Sequence, residues 1–302
     1  MFNVKQIIWR FQQKNEKAYY LAVLRVLVSI WFIKEMFSRW PAFETLYSNH
    51  SFLKLDATYS LQAFGFNADL LREHYMVLIT FCMLLLVLNI FGIGRNITSF
   101  LLFLSFTVLY HLNNKFANSG DEMSMLLLFY LSFANSFSHF TLFKRKPFEP
   151  GKEKVYNLVS NIAAYSMMIN LCLSYFMAGV FKSLDQYYQN GTGIYYFIND
   201  DRYSVFAAGS KHIALPYILS AIIGYGTIAL EFCFPFLVWY NKSRNIIFVI
   251  CLLMHLGIYA FLMIYGMTII FIIQYGLFYS NEEVMGAVQK IKSFLRKLFR
   301  FA

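Results

Sequence analysis

Charge is the first thing this sequence lacks. Only 14% of its 302 residues are Asp, Glu, Lys or Arg, while 59% are hydrophobic. Soluble domains carry roughly 25% charged residues. So few charges cannot coat a core of this size, so the apolar residues must face lipid. Redox and metal signatures are missing too. The four cysteines (Cys82, Cys172, Cys233 and Cys251) lie inside apolar runs with no CxxC among them, and read as small buried hydrophobes. There is no HExxH, GxSxG, Walker loop or GxGxxG, and the six histidines are scattered without metal-ligand spacing, so no metal site is expected. Met1 to Ala18 is polar and basic without an early apolar core, which argues against a cleavable signal peptide and makes the first span its own insertion signal.

The net charge of +10 sits in short runs beside apolar stretches. That pattern marks helix ends at an anionic cytoplasmic leaflet and not a nucleic acid-binding surface. Apolar runs long enough to span, at about 20 residues each, predict an all-α polytopic bundle of eight spans. The first seven begin at Ala18–Phe37, Tyr75–Ile93, Ile97–Leu112, Met123–Phe143, Tyr156–Phe181, Pro216–Tyr240 and Ile246. Ile246–Tyr279 carries no charge and is too long for one crossing, so it is divided near Tyr265–Gly266 to give the seventh and eighth. With the N-terminus inside, seventeen Lys and Arg residues fall in inner segments and seven in outer ones, which places both termini in the cytoplasm. No repeat or linker breaks the chain, so residues 1–302 read as a single transmembrane domain. The tail 284–302 reads as a basic amphipathic helix on the inner leaflet.

The outer face owns two long loops, Ser38–His74 and Lys182–Leu215, and long loops commonly carry function. A charge at bilayer depth costs about 2.5–3.5 kcal/mol on insertion scales, so each needs a partner or a purpose. Arg25, Glu231 and His255 form a mid-depth group that could pair with one another, either as a functional site or as a lock holding the bundle. Lys182, Asp121 and Glu122 form a second group at the outer mouth. Lys182 reads either as a snorkelling interface lysine or as a desolvated base. Asp121 and Glu122 read as charges favoured at a helix N-terminus or as part of the same site.

The segment Ser174–Ile198 carries an aromatic pair (Tyr175, Phe176), Ala178-Gly179-Val180, Lys182, Leu184-Asp185 and Gly193. It resembles the fifth-span signature of the HTTM (horizontally transferred transmembrane) family, which includes the vitamin K-dependent γ-carboxylase. Leu230-Glu231, Pro235, a following basic loop and His255 match later spans, and Arg25 with a Tyr47-containing outer loop matches the start. The resemblance implies that Lys182 is a general base and His255 a supporting polar group. Arg25, Glu231, Asp121, Glu122 and Asp185 would be substrate or structural polar groups. It also implies a vitamin K-like quinone as the lipid-soluble ligand. Two features depart from the carboxylase: the chain ends at Ala302, soon after the last span, and Asn118-Ser119-Gly120-Asp121-Glu122 replaces a Trp-Asn-Asn-His-type stretch. The short form resembles bacterial members of the sporulation-delaying-protein-B type. The expected protein therefore sits in a bacterial cytoplasmic (inner) membrane and modifies or helps mature a secreted peptide or a lipid-soluble substrate. The alternative is a non-catalytic subunit or chaperone of a peptide-toxin maturation or export complex, partnered by that peptide and a small protein.

Overall fold

The computed structural model describes residues 4–51, 61–63, 65–113, 119–143, 149–206 and 212–298. Lys54, Lys115, Asn118, Lys144, Arg145, Lys146, Lys211, Arg300 and the last residues of the basic tail lie outside the described residues. Ten principal helices follow in order: α1 Val4–Gln13, α2 Ala18–Arg39, α3 Tyr75–Ile90, α4 Arg95–Leu112, α5 Ser119–Phe133, α6 Pro150–Leu184, α7 Tyr217–Leu237, α8 Asn241–Phe261, α9 Tyr265–Gln274 and α10 Asn281–Leu298. Short helices occupy Phe43–Tyr47, Ala68–Glu73, Gln186–Gln189 and Gly193–Ile198. Strand-like pairing among the described residues is confined to one isolated antiparallel bridge, Ser204 with Leu262.

Among the described residues, three helices, α6, α7 and α8, are long and apolar enough to cross a membrane. Tyr75–Ile90 and Tyr265–Phe278 are apolar but shorter. α2 has the length, at 22 residues, but carries Arg25, Lys34, Glu35 and Arg39. Apolar side chains point outward along α7 (Ile218, Ile222, Phe236) and α8 (Ile246, Val249, Leu253). Cys233, expected to be buried, is exposed on α7, while the other three cysteines are buried.

The chain divides into two compact units, Met1–Ser166 with Tyr279–Ala302 and Met167–Phe278. In the first, α2 packs on α3 and α5, and α4 packs on both α3 and α5. The buried positions of α2 (Leu21, Leu24, Arg25, Val28, Ser29, Phe32, Met36) recur at helical spacing and form one stripe. Phe32 stacks on Phe106 at 4.0 Å between ring centres.

The one charge in that stripe, Arg25, is 0% exposed. Its guanidinium has five N–H donors, and every one meets a backbone carbonyl. Nε donates to Ser136 (3.1 Å), Nη1 to Asn89 and to Ile90 (2.9 Å), and Nη2 to His139 (3.3 Å) and Phe140 (2.7 Å). Asn89 and Ile90 are the last residues of α3, whose final carbonyls have no partner within the helix. The positive group also opposes the negative end of the helix dipole. The side-chain amide of Asn89 donates to Ser29 and accepts from Ser99, at 2.9 Å each, so this side chain is satisfied. Arg25 therefore lies level with the end of α3, where the sequence suggested mid-depth.

This explains the clearest departure from the expected spans. Met123–Phe143 is not one helix: α5 stops at Phe133 and residues 134–143 run irregularly. Three of the five carbonyls held by Arg25 come from that stretch, and Leu142 N–H donates to Phe91 at 2.8 Å. The turn it meets needs glycine at position 92, where φ is +69° and a Cβ would lie 2.4 Å from Thr141 Cγ2. In the second unit, the break expected near Tyr265–Gly266 falls slightly earlier. Leu262 is extended, because the Phe261 carbonyl accepts from Val205 N–H and Met263 N–H donates to Tyr203.

Replacing Arg25 by Met should strand five carbonyls, two of them buried (Asn89 and Ser136), and destabilise the protein by at least about 3 kcal/mol. Arg25→Lys, with three donors for five acceptors, should fall between Met and wild type. Thermal unfolding in detergent reads both; an unchanged midpoint in the Met variant would refute the role assigned to the guanidinium.

Candidate functional site

The second unit holds most of the polar chemistry. On α6, Tyr175, Gly179 and Lys182 follow one another at spacings of four and three, so they share a face. Gly179 lets that face approach α7 closely: a Cβ there would sit 3.3 Å from Glu231 Cβ. Lys182 Nζ then donates to Glu231 Oε1 at 2.6 Å. The lysine side chain is 26% exposed and the glutamate 5%, so the pair joins a buried carboxylate to a group that still reaches the surface. Glu231 Oε2 is buried with no hydrogen-bond partner among the described residues. Pro235, one turn later, has no N–H to give the Glu231 carbonyl, which loosens α7 at this level.

Lys182 was expected at the outer mouth, but its partner lies well inside α7, fourteen residues after the helix begins at Tyr217. The first half of α7 instead runs beneath the short helices Gln186–Gln189 and Gly193–Ile198. Tyr188 crosses this cap, its ring against Gly193 and near Gly224, where a side chain would collide at the first and touch at the second. Burial pushes the Tyr188 hydroxyl up to about 12, and the charges of Glu231 and Asp185 act in the same direction. It stays protonated at neutral pH, a donor close to the carboxylate. Asp185 caps the short helix, accepting from Tyr187 N–H (2.8 Å) and Tyr188 N–H (3.2 Å), which fixes the cap at the end of α6.

Two turns behind Lys182 lies a hydrogen-bonded cluster. Tyr175 Oη meets His255 Nε2 at 2.7 Å and also the Tyr275 hydroxyl. Phe234 stacks on Tyr175 with ring centres 3.9 Å apart, and Phe271 packs edge-on against it. Cys251 is fully buried beside both phenols. His255 is 1% exposed and its Nδ1 has no partner among the described residues. Arg244, lower on α8, donates to the Phe278 carbonyl at 2.9 Å, closing the helical turn Tyr275–Phe278.

Of the group Arg25, Glu231 and His255, each finds a different partner: backbone carbonyls, Lys182 and Tyr175. In the first unit, Asp121 accepts both contacts of a bidentate bond from Arg39 Nη2 at 2.9 Å, and Glu35 joins at 3.3 Å. Glu122 accepts from the Tyr110 hydroxyl at 2.8 Å. These carboxylates line or border a small cavity with Tyr47, Asn113, Phe32 and Met125. Arg39 and Tyr275 were missed from the sequence. Arg39 carried a signal, being four residues after Glu35 on one helix face; Tyr275 lay in a charge-free run with nothing to distinguish it. Among the described residues, no cluster of three or more His, Cys, Asp or Glu is placed to hold a metal ion. The chain matches no family model, no curated protein and no solved structure.

Removing Lys182 alone should leave Glu231 buried and uncompensated. Lys182→Met is expected to cost about 2–4 kcal/mol, and Lys182→Met/Glu231→Leu to recover most of it. Unfolding midpoints of the three proteins give the coupling. Additive losses would mean the pair does not interact in the folded protein.

Proposed function

We propose that this protein is a membrane-embedded enzyme of the HTTM type that uses Lys182 as a general base on a lipid-soluble or peptide substrate reaching it from the outer side. The observation that carries this reading is the contact of Lys182 Nζ with Glu231 at 2.6 Å, between a buried carboxylate and a partly exposed amine. Proton transfer within the pair gives a neutral amine beside a neutral carboxylic acid. The amine then has a lone pair for a substrate proton, and the ammonium it becomes is held in place by the same side chain. Tyr175 and His255, two turns behind, position this face of α6. The resemblance adds a quinone-type ligand, which in its reduced hydroquinone form would supply a weakly acidic hydroxyl. Tyr188, near enough to Glu231 to feel its charge, adds an aromatic ring on the carboxylate side of the pair.

The fold proposed for the membrane is eight crossings with both termini cytoplasmic, in a bacterial inner membrane. Outward apolar faces on α7 and α8 support embedding. The basic residues of α1 and α10 support an inner location for both ends. A second reading, a non-catalytic subunit or chaperone for a secreted peptide, draws on the same ion pair, since a paired lysine also locks two helices together.

Two variants separate the readings. Lys182→Arg keeps a cation for Glu231 but is too basic to give up its proton; Lys182→Ala removes both functions. The enzymatic reading expects mass spectrometry of co-expressed secreted peptides and extracted quinones to lose the wild-type mass shift in both variants. Retention of that product by Lys182→Arg supports the locking role and sinks the base. For topology, a C-terminal green fluorescent reporter should fluoresce and a C-terminal alkaline phosphatase should stay inactive; the reverse would place the C-terminus outside.

A further inference from the structure

We infer that α1 and α10 together form a docking surface for anionic lipid headgroups, gathered at the point where α2 begins. The inference rests on the membrane-embedding part of the proposed reading and not on Lys182. α1 places Val4, Ile7, Ile8 and Phe11 on one face, at i, i+3, i+4 and i+7, with Trp9 and charged and amide side chains around the rest. No residue of α1 is buried. Phe11 stacks on Tyr165 with centroids 5.0 Å apart, which pins one end of the apolar stripe. Val4, Ile7, Ile8 and Trp9 remain exposed beyond it. α10 carries a similar stripe at Val284, Val288 and Ile291, spaced i, i+4 and i+7, with Ile291 exposed, and its Lys290, Lys292 and Arg296 are exposed as well.

The two helices are tied to one junction. Asn281, the first residue of α10, donates to the Asn15 carbonyl and accepts from Tyr19 N–H, both at 3.0 Å. Lys17 Nζ donates to the Tyr279 carbonyl at 2.8 Å. Asn161 binds the Phe11 and Lys14 carbonyls at 2.9 and 2.8 Å. Both helices thus leave from the start of α2.

Charge selects the occupant. Arg10 is bonded by Glu16, and Lys14 lies 3.9 Å from Glu282. Burial pushes the Glu16 carboxyl up, but its bonds from Arg10 and Tyr165 outweigh this and hold it below the usual range, so it stays ionised at neutral pH. Among the described side chains of the two helices, Lys5, Lys290, Lys292 and Arg296 are exposed toward an outside partner. A second copy would bring the same positive faces together. An apolar stripe with a basic border matches an anionic membrane surface instead.

The test uses the full chain in nanodiscs of phosphatidylcholine alone or of equal parts phosphatidylcholine and phosphatidylglycerol, with amide hydrogen exchange read at residues 4–13 and 281–298. Exchange in both segments should slow roughly tenfold in the anionic discs, and high salt should abolish the difference. Lys290→Gln/Lys292→Gln/Arg296→Gln should remove the effect in α10. Equal exchange in the two lipids, or a response in α10 without α1, overturns the inference. Alkaline carbonate extraction of native membranes separately tests embedding: release of the chain without detergent would sink the membrane reading itself.

Discussion

A guanidinium with five donors and five backbone acceptors organises the first unit. Arg25 takes a positive charge out of water, and the interior repays it with carbonyl dipoles in place of a carboxylate. The exchange works because those carbonyls would otherwise be orphans: two end α3, and three belong to a stretch that has left the helical path. Removing the cation would strand them. Keeping it allows a non-helical segment inside an apolar bundle, where irregular backbone is tolerated only if protein satisfies it.

The same device recurs at other helix ends. Arg72, 1% exposed, donates to the last carbonyl of α4 at 2.6 Å. Arg244 serves the Phe278 carbonyl and Lys17 that of Tyr279. In each case a buried cation meets the negative end of a helical turn. Lys182 and Glu231 stand apart from this rule, as a buried carboxylate with a cationic partner. The exception coincides with the close approach at Gly179, the proline one turn further on, and the Tyr188 cap.

Hydropathy made the helices legible. α2, α7 and the break after α8 follow from apolar runs and from the length a crossing needs. The polar partners were much less legible, because each is set by contacts far apart in the chain. Arg25 and Phe140 are 115 residues apart, and Lys182 and Glu231 are 49 apart. Depth counted along single helices put Glu231 with Arg25 and His255, and Lys182 with Asp121 and Glu122. That count assumed α6 and α7 end at the same level. Two short helices packed over the first half of α7 displace its start, and no periodicity in the sequence announced them. The local signals held better: the face shared by Tyr175, Gly179 and Lys182 can be read directly from spacing.

The partners of Arg25 also fix an order of events during synthesis. When α2 leaves the ribosome, none of the carbonyls that will receive the guanidinium exists, and the last of them arrives 115 residues later. At about 5–20 residues per second, the nascent chain spends on the order of ten seconds with a naked arginine in its first hydrophobic segment. Until residues 134–143 arrive, three of those five acceptors do not exist, so the guanidinium must be solvated some other way and the final packing of α2 waits for them. Biogenesis of this protein is therefore a waiting problem, and slower translation between α2 and α5 lengthens the wait.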